Sequence, residues 1–212
     1  MKVSADTILA AARKELGYRE SPAGSNKTKY GAAYGLNGNP WCAMFLWWLF
    51  RQCDAMELLP VITASCSALM RAARSKGCWV TENYRPGDLV IYDFPGGAGT
   101  DHCGIVESVT GSGVIAIEGN TSVGNDSNGG IVMRRERSKS MIVGAVRPAY
   151  LEKSVVLDNT PAEYAKEAVA WAVEKGILQG DQTGNLNLSQ PCSRQQLMTF
   201  LWRFANVLKN NL

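Results

Sequence analysis

The chain has 212 residues and a mass of 23.0 kDa, room for one generous domain or a medium domain with a small appendage. Its 46% hydrophobic and 19% charged residues describe a packed globule and exclude a disordered tail or a disulfide-dense miniprotein. The net charge of +3 is too small to indicate a nucleic-acid partner. The longest dense apolar stretch, Trp41 to Phe50, is about half of the roughly 18 residues needed to cross a bilayer, so no membrane span is expected. Met1 to Asp6 carries neither a continuous apolar run nor a small-residue cleavage site, so no signal peptide is expected either.

Ser4 to Leu16 reads as a helix with Ile8, Leu9, Ala12 and Leu16 on one face and Gly17 at its end. Ser21 to Pro40 is polar and rich in Gly, Asn and Tyr, a loop with at most a short helix. Trp41 to Gln52 is apolar nearly all round, the pattern of a buried helix, and Ser65 to Lys76 forms another that Gly77 ends. From Arg85 the period changes. Asp88–Asp93, Cys103–Val109, Val114–Glu118, Ile131–Arg137 and Ile142–Arg147 are short β-branched runs, with Thr110-Gly111-Ser112-Gly113 as a hairpin connection. Helices followed by an antiparallel meander predict an α+β domain over residues 1–150.

A linker is expected over 151–159, and helices return over 160–212. Thr160-Pro161-Ala162-Glu163 and Ser193-Arg194-Gln195-Gln196 both have the form of capping boxes. Residues 1–150 carry 16 basic and 13 acidic groups, and residues 151–212 carry 6 of each, so the tail is neutral. Two helices are too few for an independent core; the tail must pack on the first domain, on a sister chain, or on both.

Six cysteines stand at 42, 53, 66, 78, 103 and 192, with no C-x-x-C pair and a single histidine, His102. A zinc knuckle has little support in that spacing, and neither a metal nor a cofactor is expected. Cys53, Cys66 and Cys78 read as structural thiols. Cys42 begins the apolar helix, where free N–H groups and partial positive charge favour a thiolate and can receive an oxyanion. His102 begins a strand; Glu118 and Asn120, two apart, share a face of the next strand, and the hairpin can bring that face to His102. A thiol, an imidazole and an orienting carboxylate are the parts of nucleophilic acyl transfer, in papain-like order. Taken singly, each is ordinary: a cysteine packed in a core, a polar residue at a strand edge, a Glu-Gly-Asn turn. Cys103, beside His102 on the opposite strand face, is the rival nucleophile. Tyr30, Tyr34, Trp47 and Trp48 suit either a glycan groove or plain core packing, and Arg134-Arg135-Glu136-Arg137 reads as a solvated strand edge.

Four segments, Pro40-Trp41-Cys42-Ala43-Met44-Phe45, Arg85-Pro86-Gly87-Asp88-Leu89-Val90, Asp101-His102-Cys103-Gly104-Ile105-Val106 and Ile117-Glu118-Gly119-Asn120, resemble the signature stretches of CHAP amidase/peptidase domains. These are papain-like peptidoglycan hydrolases of the wider NlpC/P60 group, common in phage endolysins. The resemblance implies Cys42 as nucleophile, His102 as general base, Glu118 as the group orienting the imidazole and Asn120 as a fourth polar residue of the site. The acidic calcium-binding loop of some members has no counterpart before Cys42.

The tail is similar to an S-layer homology repeat, from Ala168-Val169-Ala170-Trp171 through Gly180-Asp181 to Ser193-Arg194-Gln195-Gln196 and Phe200-Leu201-Trp202-Arg203. The family's Thr-Arg-Ala-Glu motif stands here with its arginine kept and its acid replaced by Gln196. The resemblance implies binding of an anionic secondary wall polymer, with Arg194, Trp171 and Asp181 as candidate contacts. Such repeats often work in threes, so a homo-oligomer through this module is expected. The expected function is therefore an endolysin-type hydrolase, made in the cytoplasm, acting on the wall after release, and cleaving a peptidoglycan amide bond as an amidase or endopeptidase. The alternatives are a non-catalytic wall-binding protein and an acyltransferase using the same Cys-His-Glu site.

Overall fold

Ser4 accepts the Thr7 N–H on its hydroxyl at 3.3 Å, so helix α1 (Ala5–Lys14) starts where a first-turn amide is capped. Ile8, Leu9 and Ala12 are buried on one side, and the chain leaves through Gly17 at φ +86°, a backbone state that glycine adopts without strain. The computed structural model describes residues 3–96, 99–151, 157–181 and 183–209. The chain divides into two compact units, Met1–Glu152 and Lys153–Leu212. Most of the expected linker (152–156), Met1 and Lys2 of the segment read for a signal, and Gln182 of the tail loop lie outside the described residues.

In the first unit the polar stretch holds one short helix, α2 (Lys29–Tyr34), opened by a Thr28 side-chain cap and closed by left-handed Gly35. Helices α3 (Cys42–Gln52) and α4 (Cys66–Ser75) follow, the latter capped by Ser65. Six strands, β1 (Trp79–Val80), β2 (Leu89–Tyr92), β3 (His102–Val109), β4 (Gly113–Thr121), β5 (Ile131–Ser138) and β6 (Ile142–Val146), form one antiparallel sheet in the order β1-β6-β2-β3-β4-β5. The α+β class expected from the pattern is the class observed. β1 went unread because two residues carry no period. The β3–β4 turn closes as expected, Thr110 N–H to Gly113 O at 2.9 Å and Gly113 N–H to the Thr110 hydroxyl at 3.0 Å.

The sheet buries both faces. Leu89, Ile91, Cys103, Ile105 and Ile117 join the helices in the larger core, while Val90, Tyr92, Val106, Val114, Ala116 and Ala145 form a smaller one on the other side. Helix α3, apolar nearly all round, lies against β3 and β4. Its close approach depends on Gly119, where a Cβ would stand 2.7 Å from Phe45 Cβ and 2.8 Å from the Trp41 ring. The Arg85-Pro86-Gly87-Asp88 stretch is structural. Asp88 is buried, receives Arg147 Nε at 3.0 Å and Nη2 at 2.8 Å, and accepts the Arg85 N–H at 2.8 Å, tying the entry of β2 to the end of β6.

In the second unit the two capping boxes part company. Ser193 and Gln196 cap reciprocally, Gln196 N–H to Ser193 Oγ at 3.2 Å and Ser193 N–H to Gln196 Oε1 at 2.8 Å, and open α6 (Arg194–Lys209). Thr160-Pro161-Ala162-Glu163 does not open a helix in this way. Ala162 is extended (φ −59°, ψ 154°), which holds Thr160 and Pro161 outside the helix; a 3-10 turn at Glu163–Ala165 leads into α5 (Lys166–Glu174). The two helices meet through Trp171 and Phe204, ring centroids 6.1 Å apart, and Arg203 Nη1 of α6 donates to the Ile177 carbonyl just beyond α5 at 3.1 Å. Asp158 and Asn159 pin the intervening loop by accepting the Ser189 and Leu186 N–H groups, each at 2.6 Å.

Candidate active site

Trp41 precedes α3 and supplies no side-chain cap to the first-turn N–H groups, that of Cys42 among them. Aromatic packing fixes this helix end instead. Trp41 stacks on Tyr30 at 5.2 Å and its indole N–H reaches Glu20 at 3.4 Å; Tyr30 meets Phe45 at 5.3 Å and Trp48 at 5.7 Å; Tyr34 meets Trp47 at 4.9 Å. Tyr30, Trp41 and Phe45 are fully buried, and Tyr34, Trp47 and Trp48 are half-buried. These aromatics pack α2 on α3.

His102 pairs with Tyr92 across β2 and β3, and its ring lies beside those of Tyr92 (6.1 Å) and Phe94 (5.9 Å), which stack on each other. The β3–β4 register brings Gly104 beside Glu118: a Cβ at Gly104 would stand 2.6 Å from Glu118 Cγ. That vacancy lets the carboxylate lie along the sheet toward the imidazole, with His102 Nε2 3.2 Å from Glu118 Oε2 and both side chains fully buried. Neither ring nitrogen makes an aligned hydrogen bond, so the contact acts through the field of the carboxylate on the ring. Nδ1 is the ring position left for a thiol.

The carboxylate has a second partner that the sequence reading placed in solvent. Arg137 of β5 is buried and grips Glu118 with both prongs, Nε to Oε1 at 2.9 Å and Nη2 to Oε2 at 2.6 Å, while Nη1 holds Asp126 at 2.8 Å. Its guanidinium lies 4.8 Å from the Phe94 ring centroid and 5.5 Å from that of Tyr92. Arg134 and Arg135 sit nearer the surface, as a solvated strand edge requires, and Arg137 alone turns inward. Three arginines in four residues conceal an inward-facing one. The available signal was the two-residue period, which puts Arg135 and Arg137 on one face.

Cys42 has two further neighbours. Its Sγ is 3.8 Å from that of Cys66, and the sulfurs of Cys42, Cys66 and Cys103 all lie within 4.8 Å of one another. Cys66, expected as a structural thiol, stands beside the candidate nucleophile: α3, α4 and β3 each bring one cysteine to the same point, and no sequence spacing signals that convergence. All six cysteines are free thiols. Thiol donation from Cys103 and Cys66, with the charge of His102, draws Cys42 well below the ordinary thiol range against the opposing effect of burial. Cys103 and Cys66 move the other way, well above it, because they are the protonated donors beside that charge. Burial pulls the His102 pKa down, but Cys42 and Glu118 outweigh it and raise it from 6.5 to about 9. Burial likewise opposes the charge on Glu118, yet Arg137 and His102 hold it below the ordinary carboxylate value. The favoured state is a thiolate–imidazolium pair backed by a carboxylate.

Asn120 is fully buried and left-handed (φ +60°), a conformation asparagine tolerates. Its amide serves the β4–β5 connection, accepting from Gly130 N–H and donating to Asn128 Oδ1, each at 3.1 Å. In the second unit Arg194 is exposed at the start of α6, Trp171 faces Phe204, and Asp181 Oδ1 accepts the Thr183 N–H at 2.8 Å and its hydroxyl at 2.6 Å.

Residues 34–120 match the CHAP domain family and residues 157–198 the S-layer homology domain. The chain carries a CHAP domain. That domain indicates a family of amidases and endopeptidases acting on peptidoglycan, and the S-layer homology domain indicates association with the cell wall. Among solved structures, Ly7917 is similar at 16% identity and a TM-score of 0.42, over 69% of this chain and 62% of that one, less than two thirds of its length. No curated protein matches the chain. Among the described residues, no helix is long and apolar enough to cross a membrane.

Two outcomes follow from the buried charges. Arg137→Leu leaves Glu118 buried without its bidentate partner and is expected to cost about 3–5 kcal/mol of stability by urea unfolding. The double variant Arg137→Leu/Glu118→Gln should recover part of that loss; a double variant no more stable than the single one contradicts the clamp. The pH dependence has two limbs. The depressed Glu118 contributes stability above the ordinary carboxylate range that is lost as pH falls through its lowered pKa. The raised His102 contributes stability below 6.5 that is lost as pH rises through about 9. Alkylation of Cys42 by iodoacetamide should already run at its full rate near pH 7. A rate that instead climbs through the ordinary thiol pKa of about 8.5 would exclude the ion pair.

Proposed function

We propose that the chain is a cysteine hydrolase that cleaves an amide bond of bacterial peptidoglycan, with its second unit directing it to the wall. The observation that carries the reading is the buried sequence Cys42–His102–Glu118, with the carboxylate 3.2 Å from the imidazole and the thiol at a helix N-terminus. The Cys42 thiolate attacks the carbonyl carbon, forming a C–S bond while the carbonyl electrons pass to oxygen. The Cys42 backbone N–H helps to hold that oxyanion. The His102 imidazolium protonates the leaving nitrogen as the C–N bond breaks, leaving a thioester. Neutral His102 then takes a proton from water, the hydroxide adds, and the C–S bond breaks to return the thiolate. Glu118 keeps the imidazole oriented, and Asn120, through Gly130 and Asn128, shapes the loop beside it.

The bond is either that between N-acetylmuramic acid and L-alanine or one within the stem peptide or cross-bridge, and the setting is bacteriolytic, of endolysin type. In the second unit Arg194 offers a fork suited to an anionic wall polymer, with Trp171 and Asp181 supporting its helix and loop. The exposed Leu197, Leu201 and Trp202 of α6 (51%, 51% and 67%) favour assembly into a dimer or trimer that supplies the missing repeats.

Mass spectrometry of fragments released from purified Gram-positive peptidoglycan tests the chemistry. The wild type should release stem peptides with a free L-alanine amino group (amidase) or fragments with new termini inside the stem or bridge (endopeptidase). Cys42→Ala should release neither while still sedimenting with walls; release unchanged by Cys42→Ala would sink the mechanism. A new amide bond to an added amine in place of hydrolysis would identify an acyltransferase. Light scattering at micromolar concentration should give a dimer or trimer, and a monomer would remove the assembly from the proposal.

A further inference from the structure

Hydrolysis needs one thiol, yet three converge. Cys42 opens α3, Cys66 opens α4 and Cys103 lies in β3, with exposures of 5%, 7% and 0%. Among the described residues they are the group whose ligand atoms come together closely enough to share one ion, all within 4.8 Å of one another. A tetrahedral zinc ion with Zn–S bonds of about 2.3 Å holds its sulfur ligands about 3.8 Å apart, and the Cys42–Cys66 separation is 3.8 Å. A disulfide would need about 2.05 Å, a different arrangement of the same side chains.

His102 is not part of that group; its Nε2 faces Glu118, and its charge acts on Cys42. Three thiolates leave the fourth corner of a tetrahedron to a water or another exogenous ligand. Thiolates select soft or borderline cations over calcium and magnesium.

We propose that Cys42, Cys66 and Cys103 form a three-thiolate binding site for a cation of the zinc class, and that its occupation silences the Cys42 nucleophile. Cys42 ligates as the thiolate it already is, while the Cys66 and Cys103 thiols each release a proton to solvent as their sulfur–metal bonds form; no electron is transferred, and when a chelator removes the ion those two thiols take protons back from solvent. Occupation and attack on a carbonyl exclude each other because both use the same Cys42 electron pair. Binding itself is independent of whether the chain hydrolyses peptidoglycan; only the silencing rests on that reading.

The test uses the full chain, kept reduced with a phosphine and stripped with a chelator. Cobalt(II) is titrated as the spectroscopic probe, and zinc is then used to displace it. The wild type should bind one ion per chain with thiolate-to-cobalt charge-transfer absorption and the visible bands of a tetrahedral site. Cys66→Ala and Cys103→Ala should each weaken zinc binding by at least about tenfold, the lower end of the effect expected even for an outer-shell partner. Cys103→Val and Cys66→Ser give second packings should an alanine variant fail to fold by circular dichroism. Zinc inhibition of fragment release, with each protein normalised to its own metal-free rate, should shift by the same factor. Absence of charge-transfer absorption in the wild type, or zinc affinity indifferent to Cys66 and Cys103, would overturn the site. Thiol-dependent metal binding in a chain without hydrolysis would leave the site standing and remove the hydrolase reading; Cys42-dependent hydrolysis without metal binding would do the reverse.

Discussion

A carboxylate with no exposure at all is the constraint around which the candidate site is arranged. Glu118 would lose its charge in that position if it stood alone, since an isolated ion in a low-dielectric interior is far costlier than its neutral form. The bidentate grip of Arg137 keeps it ionised, and Arg137 is held in turn by Asp126 and by the rings of Tyr92 and Phe94. The negative charge so maintained holds a proton on His102, and that proton favours a thiolate at Cys42. Each charge in the series is stabilised by the next, so the chemistry at the helix end depends on a guanidinium in an edge strand.

Packing makes room for this series by omission of side chains. Gly104 leaves the space through which Glu118 reaches along β4, and Gly119 lets α3 settle on the sheet with Phe45 and Trp41 against it. The two glycines belong to the His102 and Glu118 segments respectively, so the motifs carry positioning as well as chemistry. The Asp88 segment contributes framework alone, clamping β2 to β6 through Arg147.

The second unit shows a similar economy. Where S-layer homology repeats carry an acid, this chain carries Gln196, and the amide oxygen makes the bond to the Ser193 N–H that a capping glutamate makes. The cap survives and a negative charge is removed beside Arg194. The consequence is local: among the described residues, the start of α6 is fixed without an ion pair to that arginine.

Much of this was legible in the chain. The helix ends at Ser4, Ser65 and Ser193, the strands after Arg85, the hairpin at Thr110–Gly113 and the α+β class all arise from local periodicity, capping and turn chemistry, which act over a few residues. The chemical order Cys42, His102, Glu118 was readable for the same reason, as residue types at the starts and ends of recognisable elements. The failures have a common cause. Arg137 looked solvated because its direction depends on the β4–β5 register, the neighbours of Cys66 were not legible because they are 24 and 37 positions away, and the Thr160 box looked helical because the extended turn at Ala162 outweighs its local signal. Sequence determined which elements form and which reactive groups they carry. Only tertiary structure decided which of those groups share a buried, low-dielectric space, because that depends on strand register and helix docking between residues far apart in the chain.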